Sequence, residues 1–566
     1  MYVKSSTRKG RDGKTVRYLQ LAHNEWDPVA KASRTKVLYS FGREDQLDRP
    51  AIERLIAALG RMLDPAGAPP ASGEGLALTD SRPFGAAHAL DVLWRWLGID
   101  KVMAKELTGR KIPSRVERVL FALTANRALD ASSKLAATDW IAHDTIIDGL
   151  PQVSDDACYR AMDWLLQIEP TLAKNVYFQV TDLLNLEVDL LFFDTTSTYF
   201  ETEEADEPSP RDADGRLLPD SSVPQQAAHH RGFRAHGKSK DSRDDLPQVV
   251  VGMAVTRDGI PVRVWSWPGA TADSDLIRQV KRDLREWSLS RVVWVADRGF
   301  TSAANRRALM QAGGGYIIGE KLRSGSQEVK AALARPGRYA TVSDNMQVKE
   351  VNIGSDDRFV ICFNPEQAKR DAAVRAKLVE QLEQAIDGTD KLKKDERAHL
   401  VGQLSTKPGL KRFLRTTPGG LLRIDKKKIA AEENLDGKYL LRTSAPNLSA
   451  EDIALGYKQL LEVERGWRDM KQLLDLRPVY HRREDRIRAH VLLCWLALLL
   501  IRVAETRTGT TWNRIREQLQ RVHAVTLTGP AGSFRQTTQL TKPQQDLFTA
   551  LQVEPPKKVL GVTTPA

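Results

Sequence analysis

Two apolar segments, each followed directly by an aspartate, constrain the fold of this chain more than any other feature. Residues 190–193 precede Asp194, and residues 292–296 precede Asp297. Short apolar runs of this kind are typical of strands buried in a sheet. An acid that follows such a strand emerges at the carboxyl edge of the sheet, where α/β proteins build their sites. Either aspartate alone could be an ordinary turn acid, but together they predict a pair of carboxylates at one edge.

The patterns around the two aspartates give an order of elements. A helical stretch precedes a strand that begins near Val188, and two further strands form a hairpin across Arg257-Asp258-Gly259. A helix, a buried strand containing Val295, a second helix and a short strand follow. An antiparallel meander leading into αβ units predicts an α/β fold with a ribonuclease-H-like catalytic core and a mixed sheet. In that layout the two aspartates lie side by side.

The rest of the chain flanks or interrupts this core. We expect a helical N-terminal region before the core, an insertion domain before the last catalytic helix, and a C-terminal region that serves in dimerisation or is a flexible tail. The first 43 residues hold ten Lys/Arg and three Asp/Glu, and they form either a DNA-contacting arm or a solvated hairpin. The predicted boundaries are 1–65 for a small basic β unit, 66–82 for a linker, 83–184 for a helical domain, 185–320 for the first part of the core, 321–435 for the insertion, 436–510 for the rest of the core and 511–566 for the C-terminal region.

Charge and cysteine usage restrict the partners and the compartment. A net charge of +12 favours a polyanionic partner, usually nucleic acid. Three distant cysteines form neither a disulfide framework nor a zinc cluster, which favours a reducing, cytoplasmic location. The longest apolar run, Val491 to Ile501, is shorter than the ~20 residues that span a bilayer, so we expect a helix buried in protein and no membrane.

A third acid is expected on the late helix. Phosphodiester cleavage assisted by two divalent metals needs a few carboxylates on rigid elements, because Mg²⁺ prefers oxygen ligands. Tyr457, Glu464 and Lys471 are spaced by seven and share a helical face, with Arg468 one turn beyond Glu464. This stripe could bind metal and phosphate. It could equally be a solvated face on which Glu464 pairs with Arg468.

This segment resembles the Y-x2-R-x3-E-x6-K signature of the insertion-sequence DDE transposases, a superfamily that includes hairpin-forming cut-and-paste enzymes. Tyr457, Glu464 and Lys471 match its spacing, whereas the signature arginine falls on Leu460. The resemblance spans roughly residues 83–505. It extends to Asp194-Thr195-Thr196-Ser197, Asp297-Arg298-Gly299-Phe300, the segment 239–248, Leu435-Asp436-Gly437-Lys438-Tyr439 and Arg477-Pro478-Val479-Tyr480-His481.

The resemblance implies a transposase that binds transposon ends, cleaves DNA and transfers strands into target DNA. It implies Mg²⁺, as two ions for which Mn²⁺ could substitute, and a homodimer on the terminal inverted repeats and target DNA. The catalytic and metal-binding residues would be Asp194, Asp297 and Glu464. The DNA-binding residues would be Tyr457, Arg468, Lys471, Arg298, Lys238, Lys240 and Arg243. The alternatives are a ribonuclease-H-like nuclease without strand transfer and an inactive DNA-binding relative.

Several other residues have two interpretations each. His229, His230 and His236 could form a zinc site, but their Arg and Lys neighbours favour a DNA-facing loop. His490 is expected to make a structural hydrogen bond or, alternatively, a phosphate contact. Four tryptophans are expected in a helical core, although they could stack on bases. These are Trp94, Trp96, Trp140 and Trp164.

Overall fold

The computed structural model describes most of the chain. The described residues are 2–9, 15–27, 32–47, 52–53, 56, 76–186, 188–212, 214–218, 229–287, 289, 292–323, 325–529 and 532–563. They form two compact units, which are treated separately below. One unit comprises Met1–Leu186 and Arg468–Ala566, and the other comprises Glu187–Trp467.

The elements are numbered in chain order over the described residues. The strands are Tyr2–Lys9 (β1), Thr15–Asp27 (β2), Ala32–Arg43 (β3), Ala77–Pro83 (β4), Leu190–Tyr199 (β5), Ser209–Arg211 (β6), His229–Arg231 (β7), Gln248–Thr256 (β8), Pro261–Pro268 (β9), Val293–Ala296 (β10), Gly315–Gly319 (β11), Ala340–Ser343 (β12), Met346–Val351 (β13), Arg358–Phe363 (β14), Leu414–Thr416 (β15), Leu422–Ile424 (β16), Lys438–Thr443 (β17), His523–Gly529 (β18), Gly532–Thr537 (β19) and Val559–Thr563 (β20). The α-helices are Gly85–Trp96 (α1), Ile99–Leu107 (α2), Val116–Leu129 (α3), Lys134–Asp139 (α4), Asp155–Leu183 (α5), Asp273–Asp283 (α6), Ala303–Met310 (α7), Gln327–Ala334 (α8), Pro365–Ile386 (α9), Lys394–Ser405 (α10), Pro408–Lys411 (α11), Lys426–Glu433 (α12), Ala450–Lys458 (α13), Leu461–Gln472 (α14), Glu484–Thr508 (α15), Trp512–Gln520 (α16) and Lys542–Leu551 (α17).

The unit Glu187–Trp467 is built on a nine-stranded mixed sheet. Its order is β12-β13-β14-β17-β11-β10-β5-β8-β9. Strands β5, β8 and β9 form an antiparallel meander, and β10 and β11 run parallel to β5. The predicted α/β fold with a mixed sheet is therefore confirmed. The β8–β9 hairpin turns at Gly259, which has a φ of +75° that glycine adopts readily.

The insertion predicted over 321–435 is partly continuous with the core. Strands β12, β13 and β14 extend the core sheet, and β17 pairs with both β14 and β11. The part from α9 to α12 is mainly helical and has its own apolar cluster around Leu382, Leu404, Leu410 and Phe413. The apolar faces of β13 and β14 are buried in the shared sheet, which explains why these strands join the core.

The predicted continuous late helix is interrupted after Lys458. The amides of Leu460 and Val463 donate to the carbonyls of Tyr457 and Leu460, which are bonds of the tighter 3₁₀ type. Helix α14 therefore begins anew at Leu461. Because a 3₁₀ turn rotates the chain by a different angle from an α-turn, a spacing of seven no longer places Tyr457 and Glu464 on one stripe.

The unit made of the two chain ends contains a helical core around α15. Helix α15 has the length and hydropathy to cross a bilayer, with a mean hydropathy of 1.9, but 94% of that window is buried inside the protein. It contacts α3 and α5, as expected of a helix buried in protein. Trp94, Trp140 and Trp164 are also buried, which fits the predicted core packing.

Three expectations about this unit need correction. The region before the core is not helical throughout, since β1, β2 and β3 form an antiparallel sheet within the segment predicted as a small basic β unit. Residues 66–75 of the predicted linker lie outside the described residues, whereas 77–83 form β4. The C-terminal region is not a free tail over 512–529 and 532–563, because its strands build the sheet β20-β19-β18-β4. Strand β4 is polar, so its own sequence gives no strand signal. It is a strand because its backbone pairs with β18, which lies far along the chain.

Candidate active site

The register of two parallel strands places Asp194 and Asp297 side by side. Phe193 on β5 pairs with Ala296 on β10, so the next residue on each strand is one of the aspartates. Asp194 lies in the middle of β5 rather than at its end, but it is level with the point where β10 stops. The turn after Asp297 packs onto β5 through Phe300, whose ring lies 5.4 Å from that of Phe193.

The electrostatics of this pair favour a cation. Burial raises the pKa of Asp194 to about 6, Lys240 opposes this rise, and the carboxylates of Asp297 and Asp273 add to it. Asp194 is a half-buried carboxylate near others of like charge. A positive charge placed between such carboxylates stabilises their ionised forms. Oxygen ligands at the edge of a sheet suit hard divalent ions such as Mg²⁺. The donor chemistry of Asp194 and Asp297 therefore fits a metal.

Tyr457 approaches this pair from α13. Its hydroxyl donates to Oδ1 of Asp297 at 3.4 Å, and its ring stacks on Tyr439 at 5.9 Å. Burial and the carboxylate of Asp297 raise the pKa of Tyr457, so the phenol stays protonated and remains a donor. Gly319 makes this approach possible, since a Cβ there would overlap the Tyr457 hydroxyl.

A cavity of about 550 Å³ opens beside Asp297 and Tyr457. Lys238 and Arg298, both predicted to bind DNA, lie in its wall. Cations next to a carboxylate pair can hold a phosphate that binds to a metal at that pair. The basic lining residues are Lys238, Arg298, Lys321, Arg323 and Lys438, and the acidic ones are Asp297, Glu320 and Asp371.

Asp273, the first residue of α6, belongs to this site but was not among the predicted residues. Its Oδ1 accepts a hydrogen bond from the Thr195 hydroxyl at 2.7 Å, and its Oδ2 lies 3.1 Å from the Lys240 ammonium. Lys240 therefore lies beside Asp273, an acid partner that was not foreseen, and its role in DNA binding stays a prediction. The available signal was an acid in the first turn of the helix after β9, a pattern that many helices share.

The third predicted acid is not brought to the pair. Glu464 is exposed in the first turn of α14, and within the described parts of the chain its side chain has no hydrogen bond or ion pair with Asp194 or Asp297. Over the same residues, no group of three His, Cys, Asp or Glu side chains is arranged to hold a metal, which includes the described histidine side chains of the 229–236 segment. Leu460, at the signature arginine position, is 8% exposed and packs in the interior.

The remaining predicted residues have other surroundings. Arg243 pairs with Asp245 at 2.9 Å and lies over the ring of Tyr199. Arg468 is exposed and Lys471 is half-buried, both on α14. His490 is buried with its Nε2 3.2 Å from the carbonyl oxygen of Leu476, which is the structural role that the sequence allowed.

We expect Asp194→Asn to stabilise the fold at alkaline pH in buffer containing EDTA. The folded-state pKa of about 6 lies above the usual 3.8, so ionisation of Asp194 opposes folding increasingly as pH rises between these values. The free energy of unfolding should rise by up to about 3 kcal/mol at pH 8, and the gain should vanish near pH 4. Urea denaturation of both proteins at the two pH values measures it.

Asp189→Asn is the matched control. Asp189 forms an exposed ion pair with Arg257 at 2.7 Å, so this change should lower stability by at most about 1 kcal/mol. Two results would contradict the assignment of a buried charge to Asp194. One is an increase in the free energy of unfolding of Asp194→Asn that is equal at pH 8 and pH 4, and the other is a decrease at pH 8.

Two family models match parts of this chain. The "Transposase DDE domain" family matches residues 226–500, and the "IS1634 family transposase, N-terminal domain" matches residues 3–70. No curated protein sequence matches the chain.

Three solved structures share a low similarity with the chain. A piggyBac transposase synaptic complex with hairpin DNA is 11% identical over 79% of this chain and 82% of its own, with a TM-score of 0.33. A Mos1 transposase paired-end complex with the left transposon end is 13% identical over 47% and 75%, and a Mos1 mariner paired-end complex with Mn is 13% identical over 51% and 81%, each with a TM-score of 0.14. Scores this low carry no argument. The two family matches show that the chain is a DDE transposase with an N-terminal domain of the kind found in the IS1634 family.

Proposed function

We propose that this transposase binds the ends of its element as a homodimer, cuts the DNA there and joins the freed 3′ ends to target DNA. The observation that carries the proposal is the register of β5 and β10, which sets Asp194 beside Asp297 at the mouth of a basic cavity. This exchange of phosphodiester bonds needs no external energy source.

The proposed metal ligands are Asp194, Asp297 and Glu464. Asp194 would bind both of two Mg²⁺ ions, Asp297 would bind one and Glu464 the other, and Mn²⁺ could replace Mg²⁺. Bound divalent metal would activate the attacking oxygen and stabilise the leaving oxygen. Glu464 is included because segment 457–471 resembles the family signature and because its exposure leaves its carboxylate available.

The chain's own groups would hold the DNA around the cut. Tyr457 donates its hydroxyl toward Asp297 and so fixes the orientation of that carboxylate. Lys238 and Arg298 in the cavity wall, with Arg468 and Lys471 on α14, would bind phosphates that flank the scissile bond. Arg468 is the best candidate to replace the arginine lost at Leu460, since its planar guanidinium suits a phosphate.

We expect Asp194→Asn, Asp297→Asn and Glu464→Gln each to abolish cleavage while leaving DNA binding largely intact. Each change removes a metal-binding charge and keeps the side chain's size. Cleavage would be measured on a duplex spanning the DNA that flanks the gene, and binding by a gel-shift titration of the same duplex. Joined donor–target products would distinguish a transposase from a nuclease that only cuts.

Glu462→Gln is the control for Glu464→Gln. Glu462 lies in the same first turn, with a loose ion pair to Arg465 at 3.8 Å. Asp469 is unsuitable as a control, because it pairs at 2.6 Å with the buried Arg502 and so stabilises the fold. Parental activity in any of the three acid variants would remove that residue from the mechanism.

We expect a deletion of residues 1–43 to make DNA binding less sensitive to salt. The slope of log affinity against log salt is about −0.9 for each phosphate neutralised. Lys36 and Arg43 already pair with Glu25 and Asp45. The slope should therefore change by less than it would if all ten cations removed neutralised a phosphate each. The sheet β1-β2-β3 pairs only within itself over the described residues, so its loss should leave the other sheets intact.

Replacing Lys426, Lys427 and Lys428 by glutamine is the control for this deletion. These side chains are exposed on α12 and are expected to be solvated surface, so the slope should stay at the parental value. An unchanged slope after the deletion would mean that the N-terminal sheet is surface only.

A further inference from the structure

Asp273, Thr195 and Lys240 form a closed triangle of polar contacts. Asp273 accepts from the Thr195 hydroxyl at 2.7 Å and pairs with the Lys240 ammonium at 3.1 Å. The same ammonium donates to the Thr195 hydroxyl oxygen at 3.2 Å. Each of the three side chains thus contacts the other two, which fixes the ammonium from two directions.

The backbone of Lys240 is fixed as well. Its amide donates to the Ser197 hydroxyl at 2.8 Å, two residues beyond Thr195 on β5. Holding a lysine side chain in one geometry costs conformational entropy. Partly exposed ion pairs contribute little net stability, so fold stability alone gives a weak reason for this arrangement.

The triangle lies near Asp194 and near the turn that follows Asp297. Thr195 directly follows Asp194, and Oδ2 of Asp273 lies 3.6 Å from the position that a Cβ on Gly299 would take, two residues after Asp297. Lys240 and Asp273 both act on the charge of Asp194, in opposite senses. The ammonium is therefore close to the place where a phosphate would meet the carboxylates.

An ammonium has three donors. Two of those of Lys240 serve Asp273 and Thr195, and its side chain is 39% exposed, so the third can reach a solute. A cation held in place before the DNA arrives loses little further freedom on binding, which increases its contribution in the transition state.

We propose that Asp273 is a positioning residue that, with Thr195, holds the Lys240 ammonium beside Asp194, where it binds a non-bridging oxygen of the phosphate being cut. The proposal rests on the proposed function and adds to it a residue outside the carboxylate set. Asp273 itself does not touch the DNA or the metal, and it acts through Lys240.

The test compares Lys240→Met, Asp273→Asn and the double variant, with Asp275→Asn as a control on the same helix. The rate of cleavage of the pre-bound flanking-DNA duplex should fall by about tenfold or more in Lys240→Met and in Asp273→Asn. Removing an enclosed transition-state donor typically costs ~10²–10³-fold. The loss expected here is smaller because Lys240 is partly exposed. The double variant should be no slower than Lys240→Met, because the two residues act as one unit. Lys240→Arg should retain part of the rate, and Asp275→Asn all of it.

Mn²⁺ binding without DNA, measured by calorimetry, provides a second readout. Asp273→Asn and Lys240→Met should bind Mn²⁺ at least nearly as tightly as the parent, while Asp194→Asn should bind it far more weakly. Thermal melting of each variant controls for folding.

Several results would overturn the inference. Loss of Mn²⁺ binding in Asp273→Asn would make Asp273 a metal ligand. Additive losses in the double variant would mean that Asp273 acts without Lys240, and parental cleavage by either single variant would remove the role altogether. If Asp194→Asn also cleaves at the parental rate, the proposed function itself fails. If only Asp194→Asn is inactive, the failure is confined to Asp273 and Lys240.

Discussion

The parallel pairing of β5 with β10 is the constraint on which the active site depends. Parallel strands share a carboxyl edge, so pairing Phe193 with Ala296 brings the residues that follow them to the same level. The ring contact between Phe193 and Phe300 holds the turn after Asp297 against the same sheet. A shift of the register by one residue would turn one of the two aspartates to the opposite face.

Concentrating acids at this edge opposes folding. Asp194 is half-buried, and Asp273 and Asp297 lie close enough to raise its pKa further. Lys240 opposes the rise in the pKa of Asp194, and the cations Lys238 and Arg298 line the cavity beside Asp297. In the proposed function these cations bind phosphate, so stability and DNA binding would depend on one charge arrangement.

The parts of the site that could be predicted have local signals in the sequence. An apolar run that stops at an acid predicts Asp194 and Asp297, and the element order predicts that their strands are neighbours. The contacts of Asp273 could not be predicted in this way, because Thr195 and Lys240 lie 78 and 33 residues away and only tertiary packing joins them. The break before α14 also lacked a signal, since no proline occurs between Tyr457 and Lys471 and the turn follows from the burial of Leu460.

The central claim is that Asp194 and Asp297 bind divalent metal together, and a crystal structure of the protein grown with Mn²⁺ tests it most directly. Anomalous scattering locates manganese without reference to the protein's chemistry. The account predicts an anomalous peak within ligand distance, about 2.0–2.2 Å, of carboxylate oxygens from both aspartates. A well-occupied peak elsewhere, or contacts to only one of the two aspartates at saturating Mn²⁺, would contradict it.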